Sequence, residues 1–545
     1  MSRSHQRLSD IHALPARSAS GAGALPADLK RLKAWLGELP WANPEVTLNQ
    51  LADAALDLAG RAGVAAADRF GAAEAMRRPV GEVVAIAARR YTGIALPLPE
   101  AGVEAARLVE ALHLGMAAAY RRAAADWCAP SGSLPLLRSG KVVQALERAT
   151  FHYSQALAVA WVTYREPGGG GWQGLYRCQG FAADAGIAAK AAGDPSLPGV
   201  ASVQAHLLST LLVGLANPYA FDQDDQTLLW QLSRDYLPHL SLLALPAGDE
   251  PEAGVAVVPA DEDRGPGGQA AEGARGFGFQ ACMQDADAAI QTHEGDPAAT
   301  VHVGRGRVAR ELPLASVRQL RRAFGQRSAR RHVRLPASHA LEIVVGLAGL
   351  HFHVSGRDFQ DFVREAREHV IHIGDRAGWA QSGADAARAP VVRARVMDQS
   401  LGGYRIDVRD QTLARARVGE VVGLSWPQDP GDAGPERDWL VGVIRWLRYD
   451  DAGGVSAGIE LLSRHPVPVA IQAAGDEADA GQALRAVELH DGPMDDASAG
   501  FLVSASDQAP KSVDVLEIHA EQPRRMELRA SQRAGEYLIF SPRPE

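Results

Sequence analysis

The chain has 545 residues, a formal net charge of −9 and a hydrophobic fraction of 46%. That length exceeds what a single core organises and implies roughly two to four domains, while the apolar content excludes a disordered chain. The negative charge excludes a protein that coats nucleic acid over its whole surface, because basic character is local here. Cys128, Cys178 and Cys282 are scattered, odd in number and without CxxC spacing, which fits a reducing cytoplasm and provides neither a zinc site nor a disulfide framework. Met1–Gln6 lacks the apolar core of a secretory signal, and no uncharged apolar run is long enough for a membrane span. The expected location is therefore the cytoplasm.

In chain order, residues 1–27 are rich in Ser, Ala, Gly and Pro and read as a loose tail. From Asp28 the periodicity becomes helical, with Leu29, Leu32 and Leu36, then Leu48, Leu51, Ala55 and Leu58. Further helices are expected over Val80–Tyr91, Gly102–Trp127, Lys141–Val162, Val203–Leu215 and Gln223–Leu243, with prolines at 40, 44, 79, 97, 99, 130 and 135 as boundaries. Residues 28–245 thus read as an all-α domain, whose many alanines favour close helix packing. Residues 246–275, acidic and rich in Gly, Pro and Ala, read as a flexible linker. Residues 276–325 read as a small adaptor ending in a basic helix, Leu314–Phe324.

The next block, 326–470, changes period. Val391–Met397 and Tyr404–Val408 alternate like strands, and Glu420–Trp426, Trp439–Leu447 and Val455–Leu462 follow at a spacing that suggests a closed antiparallel barrel. Leu341–Val354 reads as a first strand or hairpin. Phe359, Phe362, Val363, Ala366 and Val370 recur at helical intervals and mark 356–390 as a helical insertion with a loop. Residues 472–482 read as a linker. Residues 484–545 read as a C-terminal β module or an extension of the barrel. The fold class is α+β multidomain.

Two short motifs stand in this order: Arg330-Arg331-His332-Val333-Arg334, which is RxxxR, and Asp398-Gln399-Ser400-Leu401-Gly402-Gly403, which is DxSxxG. From Gly304 to Arg334 there are ten Arg against one Glu, so an RxxxR match there carries little weight alone, and DxSxxG alone also fits an ordinary turn. As an ordered pair in a strand-rich stretch they resemble the signature of PilZ domains, small β-barrels that bind the bacterial second messenger cyclic di-GMP. Ala457-Gly458-Ile459-Glu460-Leu461-Leu462 resembles the closing strand of those domains. A large helical region before such a barrel is similar to a group of proteobacterial receptors linked with surface attachment and type IV pili.

The resemblance implies a receptor, with no catalytic residues, no metal and no cofactor beyond the ligand cyclic di-GMP. Its ligand set would be Arg330, Arg331, Arg334, Asp398, Ser400 and Gly403. Arginine forks match phosphate oxygens and guanine acceptors, and their flat faces stack on rings. The Asp398 carboxylate accepts the N1 and N2 hydrogens of a guanine edge. Ser400 offers a hydroxyl to a phosphate or to its own turn. Gly403 permits a positive φ or close ligand approach. A protein partner would dock on the helical domain. The chain separates Arg334 from Asp398 by 64 residues, farther than in a minimal PilZ domain, and the insertion accounts for the excess.

Other chemistry is weaker. Ser139-Gly140-Lys141 and Gly168–Gly171 lack the rest of a P-loop. His351 and His353, on one strand face, with His369 and His372 on a helix, form a possible metal set, against which core or surface histidines are the plainer reading. There is no GxSxG or HExxH. The arginine run would suit nucleic-acid phosphates, but with only Phe324 it lacks a stacking platform. The competing functional reading is an interaction scaffold whose degenerate PilZ-like barrel binds no nucleotide.

Overall fold

The computed structural model describes residues 2–10, 28–94, 96–192, 201–293, 296, 299–305, 310–325, 333–368, 390–409, 416–427, 437–450, 453–474, 482–492, 500–505, 512–518, 520, 522–534 and 536–543. The N-terminal half is built of α1 (Arg3–Ser9), α2 (Leu29–Gly37), α3 (Pro44–Gly60), α4 (Ala66–Ala88), α5 (Glu100–Cys128), α6 (Ser139–Val162), α7 (Gly171–Asp184), α8 (Val203–Leu215) and α9 (Gln223–Asp235). Short polar side chains start several of them. Asp28, Ser202 and Asp222 each accept a bond from the backbone N–H three residues on, capping α2, α8 and α9. Small residues set the helix spacing: a Cβ on Gly115 would stand 3.0 Å from Ala55, so α5 and α3 nearly touch backbones.

Several sequence expectations change here. Leu8 and His5 of α1 are fully buried, and the His5 Nε2 lies 3.0 Å from the Ala125 carbonyl, so Arg3–Ser9 is a docked helix and not loose tail. Pro79 lies inside α4 and bounds nothing. Helix α7 was not foreseen, because its glycines obscure its period, yet Trp172, Leu175, Tyr176 and Phe181 are all buried. The expected helix Gln223–Leu243 ends at Asp235 and gives way to a strand, β1 (Ser241–Ala244), and the expected linker is structured too: β1, β2 (Val255–Val258) and β3 (Arg275–Gly278) form a three-stranded sheet in the order β1-β3-β2. Asp261 pins it by accepting from Arg177 at 2.7 Å, and Asp263 takes the Gln173 N–H at 3.0 Å. A linker by composition is thus held by its carboxylates.

Next come α10 (Gln280–Thr292), the hairpin β4 (Thr300–Val303) and β5 (Arg310–Pro313), and α11 (Leu314–Phe324), the basic helix at the expected bounds. Its Val317 and Leu320 are buried, while Ser316 donates to Asp225 at 2.6 Å and Gln319 to the Ala220 carbonyl at 2.6 Å. Helix α11 is therefore fixed on the helical domain.

Strands β6 (Leu335–Pro336), β7 (Ala340–Val345), β8 (Val392–Ser400), β9 (Gly403–Val408), β10 (Val421–Ser425), β11 (Trp439–Tyr449) and β12 (Val455–Ser463) make an antiparallel sheet in the order β6-β8-β7-β10-β11-β12-β9, closed by β8–β9 pairing. Alternation decides its inside: Val392, Ala394, Val396, Ile406 and Val408 point to the core, and Arg393, Arg395 and Arg405 point out. Between β7 and β8 the chain forms α12 (Leu347–Ser355) and α13 (Phe359–Glu368). Leu341–Val354 is thus a strand followed by a helix, and His351 and His353 sit on α12, not on a strand. His369 and His372 lie outside the described residues. No group of three or more His, Cys, Asp or Glu placed to hold a metal occurs among the described residues.

The remaining strands, β13 (His465–Ala473), β14 (Leu484–His490), β15 (Gly500–Ser504), β16 (Ser512–Leu516), β17 (Arg524–Ala534) and β18 (Tyr537–Pro542), close a second barrel, ordered β13-β14-β15-β18-β17-β16. Because β13 opens this second barrel, the first ends near residue 463 and not near 470. The insertion is the joint between the two: Leu347 and Leu350 of α12 pack with Val487, Leu502 and Ile539, and Phe362 of α13 packs on Ala470 and Leu516. No helix is long and apolar enough to cross a membrane among the described residues.

Inside the helical domain, His113 and His152 meet Nδ1 to Nδ1 at 2.9 Å, and His206 contacts Glu147 at 2.8 Å. Arg148 pairs with both Glu147 and Glu74, and Tyr120 donates to Glu74 at 2.7 Å. Burial lowers the His113 pKa to about 4, and burial plus the His113, Arg77 and Arg148 charges drives His152 down as well. Both are neutral in the fold, whereas an unfolded chain protonates them near pH 6.5. The unfolded state thus binds more protons below that pH, and stability falls with acid. From about pH 6.5 to 4, His113 alone should remove about 3 kcal/mol of helical-domain stability. Denaturation followed by circular dichroism across that range checks this, and His113→Gln should flatten the profile.

Candidate functional site

The DxSxxG sequence folds as the β8–β9 hairpin, with Leu401 and Gly402 at its turn and Ser400 paired with Gly403. The Ser400 hydroxyl faces its own turn, 3.4 Å from the Gly403 carbonyl. Gly403 also pairs with Glu460 of β12. A Cβ at Gly403 would overlap the carbonyl oxygen of Ile459, so glycine is required by the neighbouring strand. The barrel closes at this glycine, because β9 must approach both β8 and β12.

Across 64 residues Arg334 and Asp398 meet. Strand β6 pairs with the C-terminal end of β8, Leu335 opposite Gln399 and Pro336 opposite Asp398. That pairing sets Arg334 against Asp398, with Nη1 donating to Oδ1 at 3.1 Å. Asp398 also lies 4.0 Å from Arg405. Its side chain is 21% exposed, while both arginines are 45% exposed, so their forks remain open to solvent on one side. Arg330 and Arg331 lie outside the described residues.

Sequence reasoning missed the rest of this face. Register carries Asp398 to Arg405, Arg405 to Gly458 and Gly458 to Trp446, one outward row over four strands. The row spans about 14 Å at the usual strand separation. The Trp446 indole covers Gly458 so closely that a Cβ there would strike it. Arg464 adds a further cation beside the turn, donating to the Leu401 carbonyl at 3.0 Å. Strand alternation alone would have placed Arg405 outward, between buried Tyr404 and Ile406.

Beside this row, Glu460 accepts from Arg445 at 2.5 Å and lies 3.6 Å from Arg322 of α11. Burial lowers the Arg322 pKa, with the Arg445 charge adding to the effect. Helix α11 is thereby held to both the helical domain and the barrel, next to Gly403.

The closed barrel behind a helical domain lies in the stretch that matches a PilZ-domain receptor model, a binding class and not an enzyme class. The family model described as "Cyclic-di-GMP receptor FimW, N-terminal domain" matches residues 30–247, and "Cyclic-di-GMP receptor FimW, middle PilZ domain" matches 276–381 and 367–468. Together they take in most of the chain, which belongs to this family. The cyclic-di-GMP receptor FimW of Pseudomonas aeruginosa is 24% identical over 517 residues, covering 84% of this chain and 81% of that protein. No solved structure matches.

The crowding at Gly403 has a measurable cost. Gly403→Ala should destabilise the first barrel by on the order of 3 kcal/mol, because backbone and not a flexible side chain must move. Denaturant titration of the full chain checks this, and a change within about 0.5 kcal/mol would contradict the close approach.

Proposed function

We propose that this protein is a cyclic di-GMP receptor whose ligand binds on the β8–β9 face of the first barrel. The observation that carries the reading is the Arg334–Asp398 contact, which brings the last arginine of RxxxR to the aspartate of DxSxxG. In this reading Asp398 accepts the guanine N1 and N2 hydrogens, and Arg334, with Arg330 and Arg331 on the segment just before it, takes phosphate and guanine acceptors. The ligand replaces the Arg334–Asp398 pair, whose partly exposed groups lose little on separation. Ser400 completes the turn or meets a phosphate. Gly403 acts through barrel closure. No cofactor is invoked beyond the nucleotide.

The receptor signals to a protein partner through the helical domain, in the cytoplasm, in surface attachment, pilus or motility control. Support comes from the family match and from α11, which touches the barrel at Glu460 and the helical domain at Asp225 and Ala220. Helix α11 therefore links the first barrel directly to the helical domain.

Isothermal titration with cyclic di-GMP, GTP and ATP tests the reading. Selective binding of cyclic di-GMP is expected, weakened roughly 10- to 100-fold in Arg334→Ala and in Asp398→Ala. No binding by the wild type would leave a scaffold with a degenerate barrel.

A further inference from the structure

A cleft of about 650 Å3 opens where the outward row ends, between the barrel and the helical domain. Arg405, Trp446 and Arg448 line it from the barrel, and Glu166, Asn217 and Tyr219 from the helical domain. One backbone bond joins its walls, the Tyr449 N–H donating to the Tyr164 carbonyl at 2.8 Å; a second bond, within the helical-domain wall, runs from the Tyr219 hydroxyl to the Arg165 carbonyl at 2.8 Å. The second fixes the Tyr219 ring. Against that ring lies the Arg448 guanidinium, 4.7 Å from the centroid, and its Nη1 donates to Glu166. Glu166 is 70% exposed and Arg448 41%, so this ion pair is solvated and weak.

The contrast between fixed ring and exchangeable carboxylate is informative. Stacking holds the planar Arg448 fork in one orientation, so it would lose little freedom on meeting a second planar or bidentate acceptor. Glu166 takes one nitrogen of that fork, Nη1, where a phosphate oxygen could sit. Trp446 and Arg405 carry the surface from Asp398 to this fork without a break.

We propose that the nucleotide site extends into this cleft, where the helical domain forms its far wall and Arg448 binds a phosphate of the ligand in exchange for Glu166. The proposal rests on the cyclic di-GMP reading and adds the regulation of that site: Glu166 is a competitor built into the helical domain. Whatever displaces it alters the one charged contact that Arg448 makes with that domain among the described residues.

Titration calorimetry of cyclic di-GMP into the full-length protein and its variants tests this, with thermal melting to confirm folding. Arg448→Ala should weaken binding tenfold or more. Glu166→Ala, at an exposed position that folding does not need, should tighten it threefold or more, an outcome that a merely structural role would not give. In the Arg448→Ala background, Glu166→Ala should have no effect. The proposal is overturned if Asp398→Ala abolishes binding while Arg448→Ala and Glu166→Ala bind like the wild type; the receptor reading then survives alone. Absence of wild-type binding overturns both.

Discussion

The near-contact of two backbones at Gly403 is the constraint on which the site depends. Strand β9 is short and pairs along both edges, with β8 and with β12, so every outward residue on the three strands is held in register. A side chain at Gly403 would push β9 from Ile459 and open the barrel at its seam. With the seam closed, Asp398, Arg405, Gly458 and Trp446 fall into one line. The arrangement of the face is thus a result of sheet geometry, and Gly403 shapes it through the closure of the barrel.

Around that face the other domains are placed by charge as much as by apolar contact. Arg322 and Arg445 share Glu460, and Arg448 takes Glu166. Apolar packing dominates between the two barrels, where α12 is wedged between Val487, Leu502 and Ile539, with Trp439 of the first barrel alongside. The second barrel is therefore a firm attachment on the side of α12, while the helical domain meets the first barrel through a shared apolar cluster and through the polar contacts at Glu460 and Arg448. A receptor that reports occupancy to its helices would use the polar joint.

Much of this was legible in the sequence. The strands from 391 to 462 were read within a few residues, because alternation over buried Val, Ile and Leu is a local signal. The turn at Leu401-Gly402 is the ordinary turn that DxSxxG alone allowed between two expected strands. Less visible were contacts made by registration between distant strands. Nothing local marks Trp446 or Arg448 as neighbours of Arg405, since two strand pairings and the bulge between Ile444 and Trp446 decide it. Helix α7 was hidden by glycines that accept Tyr153 and Leu157, and the sheet over 246–275 by a loop-like composition. In α12, a run of mostly apolar residues between two strands concealed a helix that was expected as part of a strand or hairpin.

The most direct test of the account is an experimental structure of the protein with cyclic di-GMP bound. The account predicts a guanine edge on Asp398, Arg334 swung from that carboxylate to the nucleotide, and the ligand lying along Arg405 toward Trp446. A nucleotide bound elsewhere, with the Arg334–Asp398 pair intact, would contradict it.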